Sequence, residues 1–131
     1  MIVVDTSAWV EFLRGTGSAV DAHLRALLRA DAPVAMTELV AAELIAGASD
    51  AELPTVRRFV DLLPVLPLNG LEDFETAAQL YRTCRRAGEA IRQLADCLIA
   101  VPAIKADATL LHADRDFETL ARHTTLRLEP V

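Results

Sequence analysis

The chain has 131 residues, 53% of them hydrophobic and 24% charged, with a formal net charge of −6 at neutral pH. That length suits one domain, expected over 1–131, which can bury roughly two-thirds of its extended surface without a metal or disulfide staple; the composition excludes a disordered chain. The acidic balance argues against a general nucleic-acid coat, whose affinity comes from Lys and Arg, unless the negative charge is gathered in one cation-binding pocket.

Ile2 to Val4 reads as a short strand ending at Asp5. Without a basic flank, and with only four residues before an acid, this opening is neither a secretory leader nor a membrane span, so a cytoplasmic location is expected. Helical spacing follows over Ser7 to Arg14 and Ala19 to Ala30. A strand over Val34 to Met36 leads to Thr37, a good N-cap for a helix from Glu38 to Ala46. Next come a helix over Glu52 to Leu63, a strand over Val65 to Leu68 and a helix over Leu71 to Arg86. The helix expected over Ile91 to Ala106 contains Pro102, which should kink it or end it early. A strand over Thr109 to His112, a helix over Phe117 to Arg122 and a strand over Thr125 to Leu128 complete the chain. Cys84 and Cys97 are too few and too isolated for a disulfide framework or zinc site and are expected to be reduced packing thiols.

Strands alternating with helices imply βαβ units and a largely parallel sheet, in which ligands bind at the carboxyl ends of the strands. Asp5 and Asp114 fall just past a strand. Asp5 could instead cap the next helix, but Thr6 and Ser7 are equally able caps, which would leave Asp5 free to face the crevice. Glu38 suits the first turn of its helix, whereas Glu43 falls among Leu39, Val40, Ala46 and Gly47, on the face expected to be buried. Asp96 is the only charge in LADCLIA, apolar nearly all round. It is either a buried Asp paired with Arg92 one turn earlier or a ligand. Asp116, beyond Arg115, is a further ligand or the cap of the last helix.

Two acids at strand ends and two on inward helix faces can converge on one point. At a separation of about 6 Å each pair would repel by roughly 3 kcal/mol at an effective dielectric near 20, a conflict that a bound divalent cation removes. Oxygen ligands select Mg²⁺ or Mn²⁺. The scattered His23, His112 and His123 disfavour zinc, and His112 reads first as a strand residue.

The blocks DTSAW at 5–9, TELVAAELIAG at 37–47, LADCLIA at 94–100 and LLHADRDFETLA at 110–121 carry a resemblance over essentially the whole chain. It resembles the PIN-domain toxins of bacterial type II toxin-antitoxin modules, the VapC family. The resemblance implies a three-layer α/β/α sandwich with a mainly parallel sheet. It also implies an Mg²⁺-dependent endoribonuclease acting on tRNA or rRNA and leaving 5′-phosphate and 3′-hydroxyl ends, a homodimer, and inhibition by a cognate VapB-type antitoxin in a higher-order assembly. By motif, Asp5, Glu43, Asp96 and Asp114 match the acidic quartet, with Asp5 and Asp96 as metal ligands. Thr6 or Ser7 would orient a water or ligand, Asp116 would be auxiliary, and Arg92 and Arg115 could contact the scissile phosphate. AIKADA departs from the pattern in lacking the usual Gly before its strand. Two other readings are an aspartyl-phosphate phosphatase or receiver-like domain, and a non-catalytic acidic pocket receiving a basic partner, with the apolar helices between Leu39 and Leu63 offering a groove for a partner helix.

Overall fold

Val3, Val4 and every residue from Val34 to Thr37 are buried. Strands hidden on both faces are what a parallel sheet covered by helices on either side requires. The computed structural model describes residues 1–131 and has that architecture, a three-layer α/β/α sandwich. Its strands are β1 (Ile2–Val4), β2 (Val34–Thr37), β3 (Val65–Leu66), β4 (Thr109–Leu111) and β5 (Arg127–Leu128), all parallel, in the order β3-β2-β1-β4-β5. The helices are α1 (Thr6–Arg14), α2 (Ala19–Arg29), α3 (Glu38–Gly47), α4 (Leu53–Leu62), α5 (Gly70–Arg86), α6 (Leu94–Lys105) and α7 (Arg115–His123). Every expected element is present, with its ends displaced by up to three residues; β3 and β5 each have two residues where four were expected.

Two displacements matter for the site. Helix α6 starts at Leu94, three residues later than expected, because Gln93 holds an extended backbone and its side chain makes no capping bond. Pro102 does not end this helix, which runs on to Lys105. The missing backbone bond is outweighed by packing, since Ile99, Ala100, Val101, Pro102 and Ala103 are all buried. After α6 the chain turns into β4 through Asp107, at a left-handed φ of 52°. Asp tolerates this conformation better than most residues and does the work of the absent Gly.

The largest side chain of the core, Trp9, is 1% exposed and packs on Phe12 and Phe59 with ring centroids 5.8 and 5.0 Å away. It packs α1 onto Phe59 of α4. Cys84 and Cys97 are free and buried, and burial pushes the Cys97 thiol up to about 12, as inert packing thiols require. No helix is long and apolar enough to cross a membrane.

Candidate active site

From β1 the chain runs through α1 and α2 to β2 on one side, while from β4 it runs through α7 to β5 on the other. The carboxyl ends of the adjacent β1 and β4 therefore border the crevice where such sheets bind ligands. The two strands are in register there, the Asp5 amide donating to the Leu111 carbonyl at 2.9 Å.

Asp5 is 4% exposed. Contrary to the expectation that Thr6 or Ser7 would cap α1, Asp5 is itself the N-cap, its Oδ2 accepting from the Ser7 amide at 2.9 Å and the Ser7 hydroxyl at 2.5 Å. Of the expected alternatives, capping is the one its hydrogen bonds make, while its charge also acts on Asp96. Burial raises its pKa to about 6, against the two Ser7 donations, and the charge of Glu43 adds to the rise. The same Ser7 oxygen accepts from the Ala113 amide at 2.9 Å, tying the end of β1 to the turn after β4.

Glu43 projects from α3 and is half-buried, less enclosed than its place in the helical pattern predicts. Thr6 Oγ1 donates to Glu43 Oε1 at 2.8 Å, so Thr6 and Ser7 each orient one acid. Asp96 lies in the first turn of α6, half-buried. Its pKa is raised to about 7 by burial first and then by the charges of Asp5, Asp114, Asp116 and Glu43. The charges of the other four named acids thus all act on Asp96. Oxygens of Asp96, Asp114 and Asp116 all lie within 4.8 Å of one another.

The Arg92–Asp96 pair, the alternative to a ligand role, does not form, because Arg92 precedes the first turn of α6 and so lacks the helical spacing it needs. Instead Arg92 Nη2 reaches Asp114 Oδ1 at 2.7 Å and Nε reaches Asp116 Oδ2 at 3.0 Å, and those two acids raise its pKa, Asp116 most. Asp114 caps α7 by accepting from the Asp116 amide at 3.0 Å. Asp116 therefore does not cap the helix; it lies inside the first turn, 5% exposed, and joins the acid cluster. Its position was hidden because the sequence pattern started α7 two residues late.

His112 lies just past β4, outside the acid cluster. Its Nδ1 accepts from the Asp114 amide at 3.1 Å, and burial lowers its pKa, so it acts as a neutral brace for the turn. Arg115 is exposed and forms no salt bridge; it lines an outer cavity with Arg92, Asp116 and Arg122. The inner cavity, about 130 Å³, is lined by Arg92, Gln93, Asp96, Asp114 and Asp116 and has no hydrophobic wall. Its donors are carboxylate oxygens, a set that can hold a hard divalent cation; two of the five interacting acids resist ionising without one.

A parallel α/β/α sandwich with acids gathered at the ends of β1 and β4 defines a PIN domain. Residues 2–123 match the PIN domain family, to which the chain belongs. Within it the chain falls among the VapC ribonucleases: it is 46% identical over 129 residues to ribonuclease VapC11 of Mycobacterium tuberculosis, covering 97% of this chain and 96% of that protein. Two solved structures share the fold. FitAcB from Neisseria gonorrhoeae has a TM-score of 0.72 at 22% identity, covering 99% of this chain and 97% of that one. VapBC-5 from Mycobacterium tuberculosis, a member of the VapBC family of toxin-antitoxin systems, has a TM-score of 0.67 at 23% identity over 98% and 97%.

Proposed function

We propose that this chain, acting as one domain over 1–131 in the cytoplasm, is the toxin of a toxin-antitoxin pair, a divalent-cation-dependent endoribonuclease that hydrolyses RNA phosphodiester bonds with water. The observation that carries this reading is the cluster of Asp96, Asp114 and Asp116, whose oxygens lie within 4.8 Å of one another at the carboxyl end of the sheet; the charges of Asp5 and Glu43 also act on Asp96. Asp5 and Asp96 would hold the ion, Mg²⁺ or Mn²⁺, which supplies stabilisation of phosphate charge and a more acidic water. Glu43, with one oxygen steadied by Thr6, keeps a second oxygen to take the proton of the attacking water. Asp114 is the weaker candidate for that role because its Oδ1 already receives Arg92 and the Asp116 amide. Arg115, without an ion-pair partner, and Arg92 at the cavity wall would meet phosphate oxygens.

The antitoxin would seat in the cavity of about 180 Å³ lined by Thr6, Val10, Leu13, Glu43 and Leu44, which opens beside Glu43. A helix or strap with apolar anchors and one cation fits that lining. Homodimerisation and a higher-order complex with the antitoxin belong to the same reading, as does a tRNA or rRNA target. The deciding experiment incubates the purified chain with total RNA and Mg²⁺ and maps the new ends. We expect 5′-phosphate and 3′-hydroxyl ends; cyclic phosphate ends would implicate the ribose hydroxyl as nucleophile and reject hydrolysis by water.

A pH dependence follows from the same acids. Asp5 and Asp96 keep protons up to about pH 6 and 7 in the ion-free chain and must release them to bind a cation. At subsaturating Mg²⁺ the cleavage rate should climb between about pH 5 and 8, by up to two decades per pH unit at the acid end, and more Mg²⁺ should move the profile to lower pH. Initial rates over a pH and Mg²⁺ grid test this; a flat profile would mean that neither acid needs to ionise.

A further inference from the structure

Arg92 lines the outer cavity and is also a wall between two further depressions. On one side lies the acid cavity. On the other is a cavity of about 290 Å³ between α5 and the start of α6, lined by Ala78, Tyr81, Arg82, Arg85, Arg92 and Leu94. This second cavity holds three arginines and no acid, on a chain whose net charge is −6. Arg82 and Arg85 are exposed and form no salt bridge, unlike Arg92. The rest of its lining is flat or apolar. Tyr81 is half-buried, with the Arg85 guanidinium over its ring at 5.9 Å, and Leu94 is 46% exposed.

Unneutralised cations beside an aromatic ring suit single-stranded nucleic acid, whose phosphates take the cations and whose unstacked bases take the ring. We infer that this pocket is a nucleotide subsite: it seats one unstacked base of the RNA substrate against Tyr81 and Leu94, while Arg82 and Arg85 hold the flanking phosphates. The inference rests on the RNA-cleaving reading and adds to it where the strand lies as it leaves the acids, past Arg92 and onto α5. A second copy of this chain is the poorer occupant, since a twofold contact centred here would set these arginines against their own copies.

The test measures binding of a short fluorescein-labelled single-stranded RNA of mixed sequence by anisotropy, in EDTA so that no strand is cut, with light scattering on the same samples. Tyr81→Ala should weaken binding about tenfold, and Tyr81→Phe, which keeps the ring, should stay within about twofold of wild type. Arg82→Gln with Arg85→Gln should lower the slope of log affinity against log salt by about 1.4, the share of two phosphate contacts on a single strand. Unchanged affinity in Tyr81→Ala, or an unchanged slope in the double variant, overturns the subsite. So does a loss of affinity that accompanies a halved mass, which would assign the surface to a subunit contact. Cleavage by the wild-type chain with Mg²⁺ is scored separately. An active nuclease with unaltered Tyr81→Ala binding rejects the subsite alone, and a wild type that binds through Tyr81 yet cuts nothing rejects the cleavage reading alone.

Discussion

Replacing Asp96 with Asn is expected to lower RNA cleavage by about three orders of magnitude while raising the melting temperature of the ion-free chain by about 3–6 °C at pH 8. The loss follows from taking away a carboxylate on which the field of four other acids converges, and with it the position best suited to a divalent ion. The gain follows from linkage. Folding raises the pKa of Asp96 from its ordinary value to about 7, so between about pH 4 and 7 the folded chain holds a proton that the unfolded chain has lost, and stability falls as pH rises through that window. Above pH 7 the full cost of ionising among like charges is present, about 1–2 kcal/mol once screening at a half-exposed site is allowed for. Asn escapes that cost. The stabilisation should therefore be largest near pH 8 and vanish towards pH 4, where the aspartate is protonated in both states. Calorimetry in EDTA at the two pH values and cleavage assays in Mg²⁺ give both halves. An Asn variant that melts lower than wild type at pH 8 would mean that Asp96 serves as a structural acid.

The acids were legible in the sequence because each breaks a local pattern. Asp5 stops an apolar strand, Asp114 follows one after a short turn, and Asp96 is a lone charge in an apolar helix. Glu43 was legible through helical periodicity, which marked its face but overstated its burial. The partners of these acids were not legible, for a traceable reason. Which acid Arg92 meets depends on where α6 begins, and Gln93 gives no capping signal to mark that start. With the helix begun at Ile91, Arg92 would lie one turn from Asp96; with it begun at Leu94, the guanidinium swings to Asp114 and Asp116. Asp116 was undervalued through the same kind of error at α7, where the true cap is Asp114. Pro102 misled because a missing backbone bond is visible in the sequence, whereas the burial that offsets it is a property of the assembled core.

Asp5 joins the two kinds of information, since one carboxylate caps a helix and, in the proposed reading, also holds the ion, and the two duties can be separated by substitution. Asp5→Asn should cut cleavage by about two to three orders of magnitude and leave folding intact, because Asn caps a helix as well as Asp does and no longer carries a buried charge. Asp5→Ala should lose as much activity and, in addition, about 1 kcal/mol of stability relative to the Asn variant, the worth of an N-cap side chain. Equal activities with unequal denaturation midpoints would thus assign the charge to chemistry and the hydrogen bonds to architecture. Ser7→Ala is the intermediate case. It keeps the carboxylate but removes the hydroxyl that donates to Asp5 and receives the Ala113 amide, so it should weaken Mg²⁺-dependent cleavage by about 10- to 100-fold, with the deficit shrinking at high Mg²⁺. Activity in Asp5→Asn within about tenfold of wild type would leave Asp5 as a cap alone, and the ion would then have to be held by the Asp96, Asp114 and Asp116 side of the crevice.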